Sequence, residues 1–149
     1  MTASTTRSLL DHVRQFHQQV ADYCNRTARL SQDERIRLLL DYIGRHEQHL
    51  VEATAQYAAE GSDKVLNTWF RNPPAPLASA RIDTLGPHPC VDDVINWVIR
   101  IDNSIIDYYQ SLETEAEIPE VKTALNNLLT MENREKLKTV RSTLRINDL

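Results

Sequence analysis

Apolar residues return at three- and four-residue steps in four long stretches of this chain. That spacing marks one face of an amphipathic helix. The first stretch, 6–28, carries Leu10, Val13, His17, Val20 and Cys24, with Leu9, Phe16 and Tyr23 beside them. The second, 31–60, opens on Ser31-Gln32-Asp33-Glu34, which predicts a capping box, and stops at Gly61, which predicts a left-handed C-terminal cap. Its inward stripe is read as Leu39, Tyr42, Ile43, His46, His49 or Leu50, Ala53 and Tyr57. The third, 91–113, runs through Ile95, Val98, Ile99, Asp102, Ile105, Ile106 and Tyr109, with Asp92 and Asp93 at the positive end of its dipole. The fourth, 119–144, has Pro119 in its first turn and continues through Val121, Leu125, Leu128, Leu129, Glu132, Leu137 and Val140.

The stretch between the second and third helices, 62–90, differs in kind. It holds Asn72-Pro73-Pro74-Ala75-Pro76 and Gly86-Pro87-His88-Pro89, so it predicts a structured connection with at most one short helix. Short turns make helices one and two one antiparallel hairpin and helices three and four another. The 62–90 stretch is long enough to travel the whole bundle, about 40 Å at 1.5 Å per residue. The fold class is therefore all-α: a four-helix bundle, two antiparallel hairpins joined by a long crossover, with 1–149 as one domain.

Composition narrows the function classes. The net charge of −4 is modest and both signs are interspersed, which argues against nucleic-acid binding. No apolar run approaches the roughly 18–20 residues that span a membrane, and the N-terminus lacks the apolar core of a signal peptide. The two cysteines, Cys24 and Cys90, provide no disulfide framework, and a cytoplasmic protein with free thiols is expected.

The candidate chemistry lies on the inward stripes. Counting from the two hairpin turns, His17, His46, Asp102 and Glu132 fall near mid-height of the bundle. Asp102 sits among isoleucines and valines, where a charged carboxylate needs a compensating cation. His46 and His49, three apart, project to one side of their helix, as do Glu132 and Glu135. Imidazoles and carboxylates together suit iron, manganese or zinc. The candidate ligands are His17, His46, His49, Asp102 and Glu132, with Glu135, His12 and Glu52 weaker. The competing reading is a hydrogen-bonded cluster in which His46 or His49 pairs with Asp102 or Glu132 and fixes helix register.

At these residues the chain resembles the ferritin-like superfamily of carboxylate-bridged di-metal proteins, such as rubrerythrins and bacterioferritins. There helices one and three each supply a Glu, and helices two and four each supply Glu-x-x-His. The resemblance sets His46-Glu47-Gln48-His49 on the second-helix motif with His46 in place of its Glu. It sets Glu132-Asn133-Arg134-Glu135 on the fourth-helix motif with Glu135 in place of its His. Only Glu132 then remains to bridge two metals, so a mononuclear site, another metal or a relic site without one all stay open. The hemerythrin spacings, a glycine-rich phosphate loop, a nucleophile elbow and Cys-x-x-Cys are all absent from the sequence. No organic cofactor is inferred. The reading from a different class is a non-catalytic bundle acting through protein–protein contacts, as a homodimer.

Overall fold

A computed structural model of the protein describes residues 3–75, 77, 82 and 84–147. Strand β1 (Ser4–Thr5) leads into α1 (Thr6–Leu30), and α2 (Glu34–Glu60) returns antiparallel to it. The connection contains the single-turn α3 (Asp63–Leu66) and strand β2 (Trp69–Phe70). The second hairpin is α4 (Val91–Glu115) and α5 (Pro119–Asn147). Among the described residues no helix is long and apolar enough to cross a membrane. The four long helices pack as two hairpins joined by the crossover, so the predicted all-α bundle is the observed one.

The hairpins form because each helix buries one apolar stripe. Leu9, Leu10, Val13 and Val20 of α1 and Ile36, Leu39, Leu40 and Ile43 of α2 all face the core, each at most 2 % exposed. Val94, Trp97, Val98 and Ile105 of α4, with Val121, Leu125 and Leu128 of α5, complete the same core. Gly44 of α2 permits the close approach of the first pair. A Cβ there would lie 2.9 Å from Asn25 Oδ1 and 3.2 Å from the Cβ of Cys24, on α1.

Several local expectations are corrected. Helix α2 begins three residues later than predicted because Asp33, not Ser31, caps it. The Asp33 carboxylate accepts from the amides of Arg35 and Ile36, while the Ser31 hydroxyl accepts from the Asp33 amide and shapes the preceding turn. Gly61 is extended, with φ −65°, rather than left-handed. A side chain is unwelcome there because a Cβ would lie 3.0 Å from the carbonyl oxygen of Tyr57 and 3.2 Å from Leu66.

The crossover contains a strand as well as a helix. Ser4 pairs with Phe70 and Thr5 with Trp69, and the Thr6 amide donates to the Thr68 carbonyl at 2.9 Å. This clasp buries Phe70 and leaves Trp69 66 % exposed, so only Phe70 covers the bundle. Farther along, the Leu85 amide donates to the Tyr23 hydroxyl at 2.7 Å and ties the crossover to α1. The parts of the crossover at 76, 78–81 and 83 lie outside the described residues. On α5, Leu137 is 56 % exposed, and Thr139 and Thr143 take the inward positions beyond Glu132.

Candidate functional site

The stripe of α1 places His17 between Val13 and Val20, and the imidazole is completely buried. On α2 the inward line runs Ile36, Leu39, Leu40, Ile43, Glu47, Leu50, Val51 and Thr54, and Glu47 is also completely buried. Asp102 faces inward between Ile101 and Ile105 of α4, at 7 % exposure. Glu132 follows Leu125 and Leu128 on α5, at 4 %. Each long helix therefore contributes one titratable side chain to a buried layer.

His17 joins three helices within this layer. Its Nδ1 lies 2.5 Å from Glu47 Oε2 and its Nε2 lies 2.9 Å from Glu132 Oε1. A neutral imidazole has one N–H and one lone pair, so it could donate to only one of two carboxylates. An imidazolium donates to both, and the two flanking carboxylates favour that form. Burial alone would lower the His17 pKa. The charges of Glu132 and Glu47 and their hydrogen bonds reverse that and raise it from 6.5 to about 10.

Asp102 behaves oppositely to a salt-bridged acid. Burial, and then the negative charges of Glu47 and Glu132, push its pKa up to about 8, while His17 and Lys136 oppose the rise. At neutral pH the carboxyl is therefore mainly protonated. Two oxygens of the layer, Glu47 Oε1 and Asp102 Oδ2, are buried without a hydrogen-bond partner among the described residues. The Tyr109 hydroxyl shares that condition nearby. Desolvation and the Glu132 charge hold it well above the ordinary phenol range.

Of the sequence-predicted ligands, the structure brings His17, Asp102 and Glu132 into the layer. His46 stands at its rim. Its Nδ1 is 3.5 Å from Glu135 Oε2, its ring stacks on Tyr42 at 6.3 Å between centroids, and burial lowers its pKa. His49 is exposed and takes no part in the layer. The expected register on α2 was one residue off: Glu47-x-x-Leu50 faces the core, not His46-x-x-His49. The missed residue, Glu47, was signalled by spacing, since it is four after Ile43 and three before Leu50.

The residues do not fit a carboxylate-bridged metal centre. Both nitrogens of His17 already face carboxylates, and Leu50, 1 % exposed, occupies the position of the second-helix histidine. Glu135 stands at the position of the fourth-helix histidine and engages His46 and Lys138. Among the described residues no group of three or more His, Cys, Asp or Glu side chains is arranged to hold a metal ion. Clefts of about 440, 800 and 200 Å³ on the surface have no residue of the layer in their walls. The chain matches no protein-family model, no curated protein and no solved structure.

Proposed function

We propose that this chain is a metal-independent helical bundle that acts through protein–protein contacts of its surface, with its polar layer serving to fix the four helices against one another. One observation carries the reading: the only imidazole in the buried layer is consumed on both nitrogens by Glu47 and Glu132. A catalytic acid or base needs reach to a substrate proton. His17 and Glu47 are sealed at 0 % exposure and Glu132 at 4 %. The layer supplies charge neutralisation and helix register instead.

The resemblance to the ferritin-like superfamily then concerns the arrangement of the four long helices. Glu47 and Glu132 fall on the first position of the two Glu-x-x-His motifs, and His17 and Asp102 on the helices that each carry a lone Glu. Self-association into a homodimer is the simplest surface contact to test, by sedimentation.

A second reading keeps one supporting observation. The unpartnered oxygens Glu47 Oε1 and Asp102 Oδ2 favour a degenerate iron, manganese or zinc centre in the same layer. Elemental mass spectrometry after anaerobic loading with Fe(II), Mn(II) or Zn(II) separates the two. Retained substoichiometric traces, with no change in the thermal midpoint, are expected. One or two tightly held equivalents that raise the midpoint would establish the metal centre instead.

A further inference from the structure

We propose that two copies of this chain dimerise through the outward face of α5, packed antiparallel so that the basic end of each helix meets the acidic end of the other. The claim rests on the surface-contact function proposed above and names its face and its partner. Charge is segregated along α5. Arg134, Lys138, Arg141 and Arg145 follow at steps of four, three and four, which sets them in one exposed stripe. Leu137 and Leu144 run beside that stripe, 56 % and 50 % exposed. At the other end of the helix, around the turn from α4, stand Glu115 and Glu117, both exposed. Among the described residues, the side chains of Glu115, Glu117, Arg134, Arg141 and Arg145 form no ion pair within the chain.

The acidic end also holds a receptacle. A cleft of about 200 Å³ lies between β2 and the α4–α5 turn, with Trp69, Ala116 and Ile118 in its walls beside Glu115 and Glu117. Trp69 is 66 % exposed there. A small apolar cleft edged with carboxylates complements a leucine flanked by arginines. Within one chain the two features lie about 40 Å apart along α5 and cannot meet. A two-fold axis near Thr130 joins both pairs at once, setting Leu144, Arg141 and Arg145 of each copy against Trp69, Glu115 and Glu117 of the other. Such an interface is isologous and stops at two chains. The outward residues between the ends, Thr123, Asn126, Asn127 and Thr130, are uncharged, so no like charges oppose one another at the centre. A shallow helix crossing of about 20° keeps both ends in contact. An anionic lipid surface would attract the basic stripe, but it calls for a wider apolar face with aromatic anchors and leaves the acidic cleft without a role.

Sedimentation equilibrium of the full-length protein tests this, beside Arg141→Glu/Arg145→Glu, Glu115→Arg/Glu117→Arg and an equimolar mixture of the two variants. The interface is small, so the wild type is expected to dimerise with a Kd on the order of 10 µM at low salt. The affinity should fall at least about tenfold in roughly 0.5 M NaCl. Each variant carries one sign of charge at both ends and should stay monomeric. Their mixture should recover the dimer, because acidic ends then face basic ends at both contacts. Trp69 supplies a second readout: Trp97 is fully buried, so acrylamide quenching reports Trp69 and should fall as the dimer forms. A dimer that survives unchanged in either variant, or folded variants that mixing does not rescue, overturns the α5 arrangement. Should a variant fail to fold, the wild type decides: a dimer indifferent to salt with Trp69 still open to acrylamide overturns it. A wild type that stays monomeric at every concentration overturns this proposal alone and leaves the function it rests on to contacts with a different protein. Pelleting of that monomer with phosphatidylserine vesicles would give the basic stripe to lipid and overturn it equally. A dimer that dissociates in EDTA overturns both this proposal and the metal-independent function.

Discussion

Two histidines of this bundle each face a carboxylate, yet their proton affinities move in opposite directions. His17 is fully buried and holds its proton to about pH 10, whereas His46, at the rim, loses its proton more readily than a free imidazole. Burial is the largest influence on both rings and favours the neutral form of each. The difference is the partners. His17 contacts two sealed carboxylates at 2.5 and 2.9 Å, while His46 has Glu135 at 3.5 Å, beyond a close hydrogen bond. The positive charge of His17 also lowers the proton affinity of His46. A buried histidine is charged when its surroundings supply enough negative charge at contact distance, and depth alone does not predict its state.

The largest test of that contrast removes each ring. His17→Leu leaves Glu47 and Glu132 buried without a cation and should lower the unfolding free energy by about 3–5 kcal/mol in urea titrations. Removing all three charges together, in His17→Leu/Glu47→Leu/Glu132→Leu, should restore most of that loss. Buried ion clusters replaced by apolar groups of similar volume are often neutral or better. If the triple variant is no more stable than His17→Leu, packing around the ring matters more than its charge.

Proton linkage sharpens the comparison. His17 has a folded pKa of about 10 against an ordinary 6.5, so its stabilisation is complete below pH 6.5 and is lost as pH rises through 10. Asp102 is also raised, to about 8 from 3.8; above pH 3.8 the unfolded carboxyl ionises while the folded one keeps its proton, so stability falls with rising pH until the whole penalty is present beyond about pH 8. Both groups bind more protons folded than unfolded, so both make stability fall with rising pH. A drop in the thermal midpoint on the order of 5–10 °C between pH 7 and 10 is expected. Most of it should vanish in His17→Leu/Glu47→Leu/Glu132→Leu. Asp102→Asn should raise the midpoint at pH 9 and change it little at pH 4, and a uniform shift at both would sink the assignment of Asp102 as the alkaline-sensitive acid.

The sequence disclosed more of the bundle than of its chemistry. Helical periodicity exposes four stripes because each helix repeats its apolar residue several times, and one misjudged position does not alter the pattern. The proline-rich 62–90 connection and the short turns then dictate two hairpins. The buried layer rests on single residues, so a shift of one position on α2 exchanges Glu47 for His46 and rotates the predicted ligand by about 100°. His17, Asp102 and Glu132 were recognisable because each interrupts an apolar run. Glu47 was overlooked because two histidines flank it, although Ile43 and Leu50 bracket it at core spacing. The β1–β2 clasp was illegible for another reason: each strand has two residues, too few for any alternation to register.

The smallest effect is expected at the rim, and it has the opposite sign with pH. His46 has a folded pKa below 6.5, so the folded protein binds fewer protons than the unfolded chain and loses stability as pH falls through that range. His46→Asn removes this dependence. At pH 7 the ring is neutral, and its contribution is packing on Tyr42 plus a long contact to Glu135 that is partly open to water. The substitution should therefore change the unfolding free energy by no more than about 1 kcal/mol at pH 7, in line with a weakly coupled pair. The variant should approach or exceed the wild type near pH 5. A loss as large as that of His17→Leu, or an alkaline rather than acidic pH dependence, would place His46 inside the charged layer. Glu135→Gln supplies the complement: with its carboxylate gone, the His46 titration measured by NMR should move lower still, because one of the charges that favour the imidazolium is removed.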